Sequence, residues 1–203
     1  MVDPAVGKHF LMGFVLTPVE DVGQEVDEVT HAVGMTDVTP MARSRPIERG
    51  SERAMLESML DFYRATVVNK VAGLTDAQAF TAAVTPSTLT PATVVKHLSG
   101  TERFWFSIDF AALDVTWPWT DDDLHSNFRI EPGDTLATIV AGYVEECANS
   151  RRAIVGADLD DSARGDGMDF TLRFAMLHMI EETARHCGHL DLLREATDGA
   201  VGT

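Results

Sequence analysis

Apolar residues recur at steps of three and four in four stretches of the chain, and this spacing is typical of amphipathic α-helices. The stretches are residues 51–73, 91–113, 135–156 and 171–196. We expect Ser51 and Asp134 to cap the first and third helices, Thr90 and Pro91 to begin the second, and Gly73 to end the first. The sequence shows no strand-like alternation of convincing length. The pattern therefore predicts an all-α fold, a four-helix bundle with antiparallel neighbours.

Two segments fall outside the helical pattern. Residues 1–50 have no sustained period. We interpret them as an irregular N-terminal arm in front of a bundle domain at 51–197, with a tail at 198–203. The long connector, residues 114–134, also lacks a helical period. A connector of about twenty residues inside a compact domain is more often functional than idle.

Charge and composition narrow the classes of partner. The chain of 203 residues carries 16 basic and 32 acidic residues, a formal net charge of −16. An acidic surface repels phosphate backbones and anionic bilayers, so we expect neither nucleic acid nor a membrane as a partner. The two cysteines form no disulfide framework, and no apolar run reaches the roughly 20 residues that span a bilayer. We therefore expect a cytoplasmic protein.

The fourth predicted helix carries the densest group of potential ligands. Its segment 178–189 contains three histidines and two glutamates. Glu182 and His186 lie four residues apart, on the same helical stripe as the apolar residues Met179 and Leu193. A carboxylate on a buried stripe is costly unless a cation or a metal compensates its charge. That cost distinguishes this pair from an ordinary surface pair.

A histidine on the second predicted helix complements this pair. His97 shares a stripe with Val94 and Thr101, so we expect it to face the bundle interior. A lone histidine there is more often bonded to a backbone group, and a lone Glu182–His186 pair contributes only roughly a few tenths of a kcal/mol. Together the three residues predict a divalent-metal site with the open three-ligand arrangement of catalytic zinc. Nitrogen and oxygen ligands also accept nickel, iron or manganese.

Neighbouring residues on the same helix leave alternatives open. His178 lies four residues before Glu182, and His189 lies three after His186, so either could replace a ligand. His189 could instead form a hydrogen bond to one of the metal ligands, or lie at the entrance of the pocket. Cys187 points about 100° away from His186 around the helix, and we interpret it as a packing residue.

Aromatic residues and the remaining histidines have less specific patterns. Trp105 is mainly a core residue, and together with His189 it is our candidate for contacting a cofactor. Trp117 and Trp119, in the long connector, form either a lid over the pocket or a structural wrap. The other histidines are expected to be exposed to solvent, and they are His9, His31 and His125.

Four segments of the chain resemble a known superfamily. They are residues 51–74, 90–106, 128–155 and 178–195, of which the last, HMIEETARHCGHLDLLRE, is the most specific. These segments resemble the DinB-like (YfiT-like) superfamily, and within it the actinobacterial branch related to mycothiol-dependent maleylpyruvate isomerase. The resemblance covers roughly residues 45–197 and adds to the pattern above, which does not depend on it.

The resemblance implies a four-helix bundle with an unusual crossover connection and a metal held by three residues. His97 in VVKHL matches the first ligand, and Glu182 and His186 match the two that lie four apart on the last helix. Members are proposed thiol S-transferases, so the resemblance implies a metal, zinc or nickel, that activates a low-molecular-weight thiol such as mycothiol toward an electrophile. It also implies a homodimer, since such bundles often pair.

Two other functions fit the same residues. One is a metal-dependent hydrolase, in which the metal lowers the pKa of a bound water molecule. The other is a stress-related module that binds metal without catalysing a reaction. Hydrolysis of esters or amides in the absence of thiol would favour the first, and a fourth ligand supplied by the protein would favour the second.

Overall fold

Helices account for most of the described residues, which are 38–120 and 122–202 of the computed structural model. They are α1 Glu52–Val71, α2 Asp76–Ala79, α3 Pro91–Glu102, α4 Leu136–Ala153 and α5 Leu172–Asp198. A π-helical segment, Arg103–Phe110, continues α3, and a 3-10 turn, Ser126–Phe128, lies in the long connector. Within these ranges the only β contacts are isolated bridges. The predicted all-α fold is confirmed. The start of the predicted arm, including His9 and His31, lies outside the described residues.

Two predicted helix starts are confirmed by their capping contacts. The Ser51 hydroxyl accepts a hydrogen bond from the Ala54 N–H at the start of α1. The Thr90 hydroxyl accepts one from the Thr93 N–H at 3.1 Å, directly before Pro91. Such bonds satisfy N–H groups that have no partner within the first turn of a helix. Local sequence therefore sets both helix starts.

The predicted cap of the third long helix is wrong by one residue. Thr135 caps α4, and its hydroxyl accepts a hydrogen bond from the Thr138 N–H at 3.1 Å. The Asp134 carboxylate instead accepts from Lys96 Nζ at 2.6 Å and from the Glu131 N–H at 2.8 Å. Lys96 of α3 thus binds the Asp134 side chain, which the local sequence favoured as the cap of α4.

The second predicted helix is not α-helical throughout. The α-helical hydrogen bonds stop at Glu102, and the chain winds as a π-helix over Arg103–Phe110. All but the first of these eight residues are buried, including four aromatic side chains. A π turn holds more residues than an α turn and is frequently found at functional sites. The expectation of one regular α-helix over 91–113 is therefore wrong in its second half.

Ion pairs at both ends show that α1 and α5 run in the same direction. Arg173, at the start of α5, binds Glu52 at the start of α1, with 2.8 Å between Nε and Oε1. Lys70, near the end of α1, pairs with Asp191 toward the end of α5. These two helices are therefore parallel neighbours.

The helices α3 and α4 are also parallel neighbours. Lys96 early in α3 pairs with Asp134 just before α4, and Arg103 after α3 pairs with Glu146 well inside α4 at 2.9 Å. The long connector must therefore return along the length of the bundle. Antiparallel neighbours, the expectation from the helical pattern alone, are wrong for this pair. The crossover connection implied by the family resemblance is present.

Two apolar clusters fill the bundle, and buried polar residues lie between them. On α5 one cluster ends at Met179 and the other begins at Cys187. On α3 and its π-helical continuation the division falls between Leu98 and Phe104. Polar side chains occupy these gaps and define what we call the polar layer: Arg64, Thr101, Glu102, Glu182, Thr183 and His186. His97 lies at the edge of this layer, next to Leu98.

The described part of the predicted arm lies along α1. The Met41 N–H donates to Asn69 Oδ1 at 2.7 Å, and the Ile47 N–H donates to Ser58 Oγ at 3.1 Å. Residues 38–50 therefore run antiparallel to this helix. No helix in the described ranges is both long and apolar enough to cross a membrane.

Candidate metal centre

The three predicted ligands converge on one point in the bundle. Glu182 Oε1 lies 3.3 Å from His97 Nε2 and 3.2 Å from His186 Nε2. One ligand atom from each residue lies within 4.8 Å of the others. Both histidines are buried, and the Glu182 side chain retains 12% of its exposure. A small cation could contact all three donor atoms at once.

Helix geometry explains how the sequence builds this cluster. Glu182 and His186 are separated by one turn of α5, so their side chains lie one above the other on the same face. His97 reaches them from α3, which runs antiparallel to α5 and packs against it. The gap between the two apolar clusters leaves room for polar groups at this level.

The electrostatics favour a set of donors that is ready to bind a cation. Burial lowers the pKa of His97, which keeps its imidazole neutral and its ring nitrogens able to act as ligands. Burial of Glu182 opposes ionisation, but hydrogen bonds from His186 and His97 outweigh it and hold the pKa well below its ordinary range. The cluster therefore offers imidazole nitrogens and one carboxylate with a single negative charge.

Two residues of the long connector complete the surroundings of His97. Asn127 Nδ2 lies 3.1 Å from His97 Nδ1, on the ring edge opposite the cluster. The Phe128 ring stacks on the imidazole, with 4.1 Å between centroids and 13° between planes. Neither residue was predicted from the sequence. The only indication in the sequence that the connector takes part in the site was its unusual length.

The two alternative ligands lie beside the cluster and outside it. His189 is half-buried, with Nδ1 3.3 Å from His186 Nδ1. His178 packs against Trp105, with 4.3 Å between ring centroids. Neither belongs to the group whose ligand atoms converge within the described residues. The geometry thus favours Glu182 and His186 over these two residues, although metal binding itself remains a prediction.

The aromatic residues pack mostly against one another. Trp105 is buried on the π-helical segment and contacts Phe170, at 5.0 Å between centroids, as well as His178. Trp117 and Trp119 both pack against Phe104. The two connector tryptophans therefore pack against the π-helical segment that follows α3. These contacts favour the interpretation as a structural wrap. Cofactor binding by Trp105 and His189 remains a prediction.

Other reactive side chains are not poised for chemistry. Burial, with a smaller contribution from Asp191, raises the pKa of the Cys187 thiol to about 12. The thiol faces the Tyr63 carbonyl oxygen at 3.8 Å, as expected of a packing residue. His125 is exposed, as predicted, with its ring 6.4 Å from that of Phe128.

The residues present fit a divalent cation. Nitrogen and carboxylate donors suit zinc and nickel, and three protein ligands are the number found in catalytic zinc sites. A second feature supports the fit. Asn127 Oδ1 is buried and has no hydrogen-bond partner among the described residues, although it belongs to an amide that touches His97. A half-turn of this amide would bring Oδ1 next to His97 Nδ1, where a ligating imidazole needs an acceptor.

The chain matches a known protein family over most of its length. A family model described as mycothiol-S-transferase matches residues 55–199, a range that contains His97, Glu182 and His186. No curated protein matches the chain. The family match agrees with the helical bundle and confirms the resemblance to the DinB-like superfamily. The chain therefore belongs to the mycothiol-S-transferase family.

Proposed function

We propose that this protein is a metal-dependent enzyme that transfers mycothiol, through its thiol sulfur, to an electrophilic substrate. One observation carries the proposal: His97, Glu182 and His186 converge within a chain of the mycothiol-S-transferase family. A divalent cation held by their Nε2 and carboxylate atoms, zinc or nickel, would bind a thiol sulfur and favour its thiolate form.

The charge of the donor set supports an anionic sulfur at this place. Ligating imidazoles carry no charge, so the single carboxylate offsets only one of the two charges of a divalent cation and a net positive charge remains. A site with that charge lowers the pKa of a bound thiol. We further propose that Trp105, on the π-helical segment after α3, and His189, beside His186 on α5, contact the thiol cosubstrate.

Transfer then needs few groups beyond those of the substrates. The thiolate forms a new S–C bond to the electrophile. With an alkyl halide, halide departs with its bonding pair and the thiol proton goes to solvent. With an epoxide or an activated alkene, the C–O bond or the C=C π bond opens, and the released electron pair takes a proton. Burial of the cluster lowers the local dielectric constant and strengthens each of these electrostatic effects. The protein's contribution is to bind and orient the thiol and to limit access of water.

Elemental analysis tests the metal centre. We expect one zinc or nickel ion in the wild-type protein, and loss of metal in both His97→Ala and His186→Ala. The matched control is His178→Ala, which removes a histidine from the same helix without touching the cluster. Metal retained in either ligand variant, or lost in the control, would contradict the assignment.

Thiol consumption tests the reaction. The zinc-loaded protein is incubated with mycothiol and a panel of alkyl halides, epoxides and activated alkenes, and the free thiol is followed over time. We expect consumption with mycothiol, little with glutathione, and the uncatalysed rate in His186→Ala. The same electrophiles, together with ester and amide panels, are also incubated without thiol. Hydrolysis of these substrates without thiol, together with no consumption of mycothiol in the first assay, would favour the hydrolase instead.

A further inference from the structure

We propose that Asn127 is a positioning residue of the metal centre, which holds the His97 ring so that Nε2 faces Glu182 and His186. This inference rests on the proposed metal centre. It assigns a role to a residue of the long connector, outside the two helices that supply the ligands. The connector would thus set the geometry of the site directly.

The contacts of Asn127 place its amide at the one position where it can control the ring. The residue is buried, and its Nδ2 lies 3.1 Å from His97 Nδ1. The other ring nitrogen, Nε2, points to Glu182 Oε1 at 3.3 Å. The Asn127 amide therefore contacts the edge of the imidazole opposite the proposed ligand atom.

The protonation of the two ring nitrogens is linked. A neutral imidazole carries one N–H, so Nε2 can offer a lone pair to a cation only when the proton is on Nδ1. A buried Nδ1–H needs a hydrogen-bond acceptor, because a buried donor without one loses the hydrogen bond that it would make to water. The choice of acceptor next to Nδ1 therefore determines which nitrogen can bind metal.

A half-turn of the Asn127 side-chain amide supplies that acceptor. The half-turn exchanges Oδ1 and Nδ2, two atoms that are hard to distinguish by shape. It brings Oδ1, which has no hydrogen-bond partner among the described residues, to the place 3.1 Å from His97 Nδ1. With a cation at the cluster, Nδ1–H would donate to Oδ1, and Nε2 would offer its lone pair to that cation. Without the cation, Nε2–H is the group that can donate to Glu182 Oε1, 3.3 Å away.

Close packing keeps Asn127 at this distance. A Cβ atom built on Gly100 of α3 would lie 3.1 Å from Asn127 Nδ2 and 3.2 Å from its Cβ, so the connector approaches the helix as closely as a glycine permits. Phe128, the next residue, stacks on the face of the His97 ring. The imidazole is thus held at one edge by Asn127 and at one face by Phe128.

Substitutions of Asn127 by residues of similar size distinguish a role in positioning the His97 ring from a role in packing alone. Asn127→Asp keeps the shape and supplies a carboxylate that accepts from Nδ1–H, as in many zinc-bound histidines. Asn127→Leu keeps most of the volume and removes the acceptor. Asn149→Leu, the same change on α4, which supplies no ligand, is the matched control.

The experiment measures zinc affinity by competition with a chromophoric chelator, with thermal unfolding of the zinc-free proteins as a check on folding. We expect Asn127→Leu to bind zinc about 10- to 100-fold more weakly than wild type. Asn127→Asp and the control should stay within a few-fold of wild type. A nitrogen-15 NMR spectrum of the zinc-loaded wild type should show the His97 proton on Nδ1.

The outcomes are distinguishable. Equal zinc affinity in wild type and Asn127→Leu, an equal loss in the Asp and Leu variants, or a proton on Nε2 would overturn the positioning role and leave the metal centre standing. If the wild-type protein takes up no zinc or nickel, the proposed metal centre is wrong and the role of Asn127 falls with it.

Discussion

The carboxylates of Glu182 and Asp109 differ in how well their surroundings compensate the negative charge. Glu182 receives hydrogen bonds from two imidazoles, and these hold its pKa well below the ordinary range against the effect of burial. It remains ionised at neutral pH, as a metal ligand must. Asp109, on the π-helical segment, is 2% exposed and has weaker compensation. Its Oδ2 has no partner among the described residues, and burial raises its pKa despite hydrogen bonds from the Gly167 and Met168 N–H groups.

Asp109→Asn tests this difference through the pH dependence of stability. The folded-state pKa of Asp109 lies above its unfolded value of 3.8, so the folded state binds more protons in the window just above that value. The free energy of unfolding contributed by Asp109 therefore falls as pH rises through the window and stays lower above it. We expect the variant to gain stability relative to wild type as pH rises above the unfolded-state pKa of 3.8, measured by urea denaturation. The matched control, exposed Asp114→Asn, should show no such change.

A single glycine lets the long connector pack on α3. Gly100 lies one turn after His97, and a Cβ there would meet Pro118 Cβ at 3.0 Å and Asn127 Cβ at 3.2 Å. Glycine inside a helix costs roughly 1 kcal/mol relative to alanine. The close approach of the connector explains why glycine is accommodated at this position.

Gly100→Ala should therefore reverse the usual effect of the substitution. We expect a net loss of about 1–3 kcal/mol in the free energy of unfolding, because the connector must shift, together with weaker zinc binding. Gly142→Ala on α4 is the matched control, since nothing lies within 4 Å of its Cβ position. It should gain roughly 1 kcal/mol. Chemical denaturation measures both, and equal stabilisation of the two variants would contradict the packing argument.

At the scale of the whole molecule, the polar layer connects the helices across the middle of the bundle. Arg64 of α1 forms two hydrogen bonds of 2.7 Å with the Glu102 carboxylate of α3, and both residues are buried. The Ser150 hydroxyl of α4 donates to the Glu102 carbonyl oxygen at 3.3 Å. A buried pair of this kind adds little net stability, but each charge is costly without its partner.

Removal of Arg64 should show the cost of burying the Glu102 carboxylate without a cation. We expect Arg64→Met to destabilise the fold by about 3–5 kcal/mol, because it leaves the Glu102 carboxylate buried without a cation. The double variant Arg64→Met with Glu102→Leu should recover most of the loss, because no unpaired charge remains. Thermal and urea unfolding of the two variants measure this. A double variant as unstable as the single one would show that packing, and not charge, is responsible.

Much of the fold and part of the site could be predicted from sequence because they depend on local geometry. Ser51 and Thr90 cap their helices through contacts within one turn, and the four-residue spacing of Glu182 and His186 places both on one face of α5. His97 could be assigned to the interior from its apolar stripe alone. The helical period relates such residues to one another without knowledge of the rest of the chain.

Only the tertiary structure decided the features that depend on contacts between distant segments. Asp134 pairs with Lys96, 38 residues away, and so leaves the cap of α4 to Thr135. The direction of α4 and the contact between Asn127 and His97 both follow from the path of the long connector, which has no period to interpret. The sequence by itself thus determined the helices and two adjacent candidate ligands. Packing between the helices and the connector decided how His97 meets those ligands and what holds its ring.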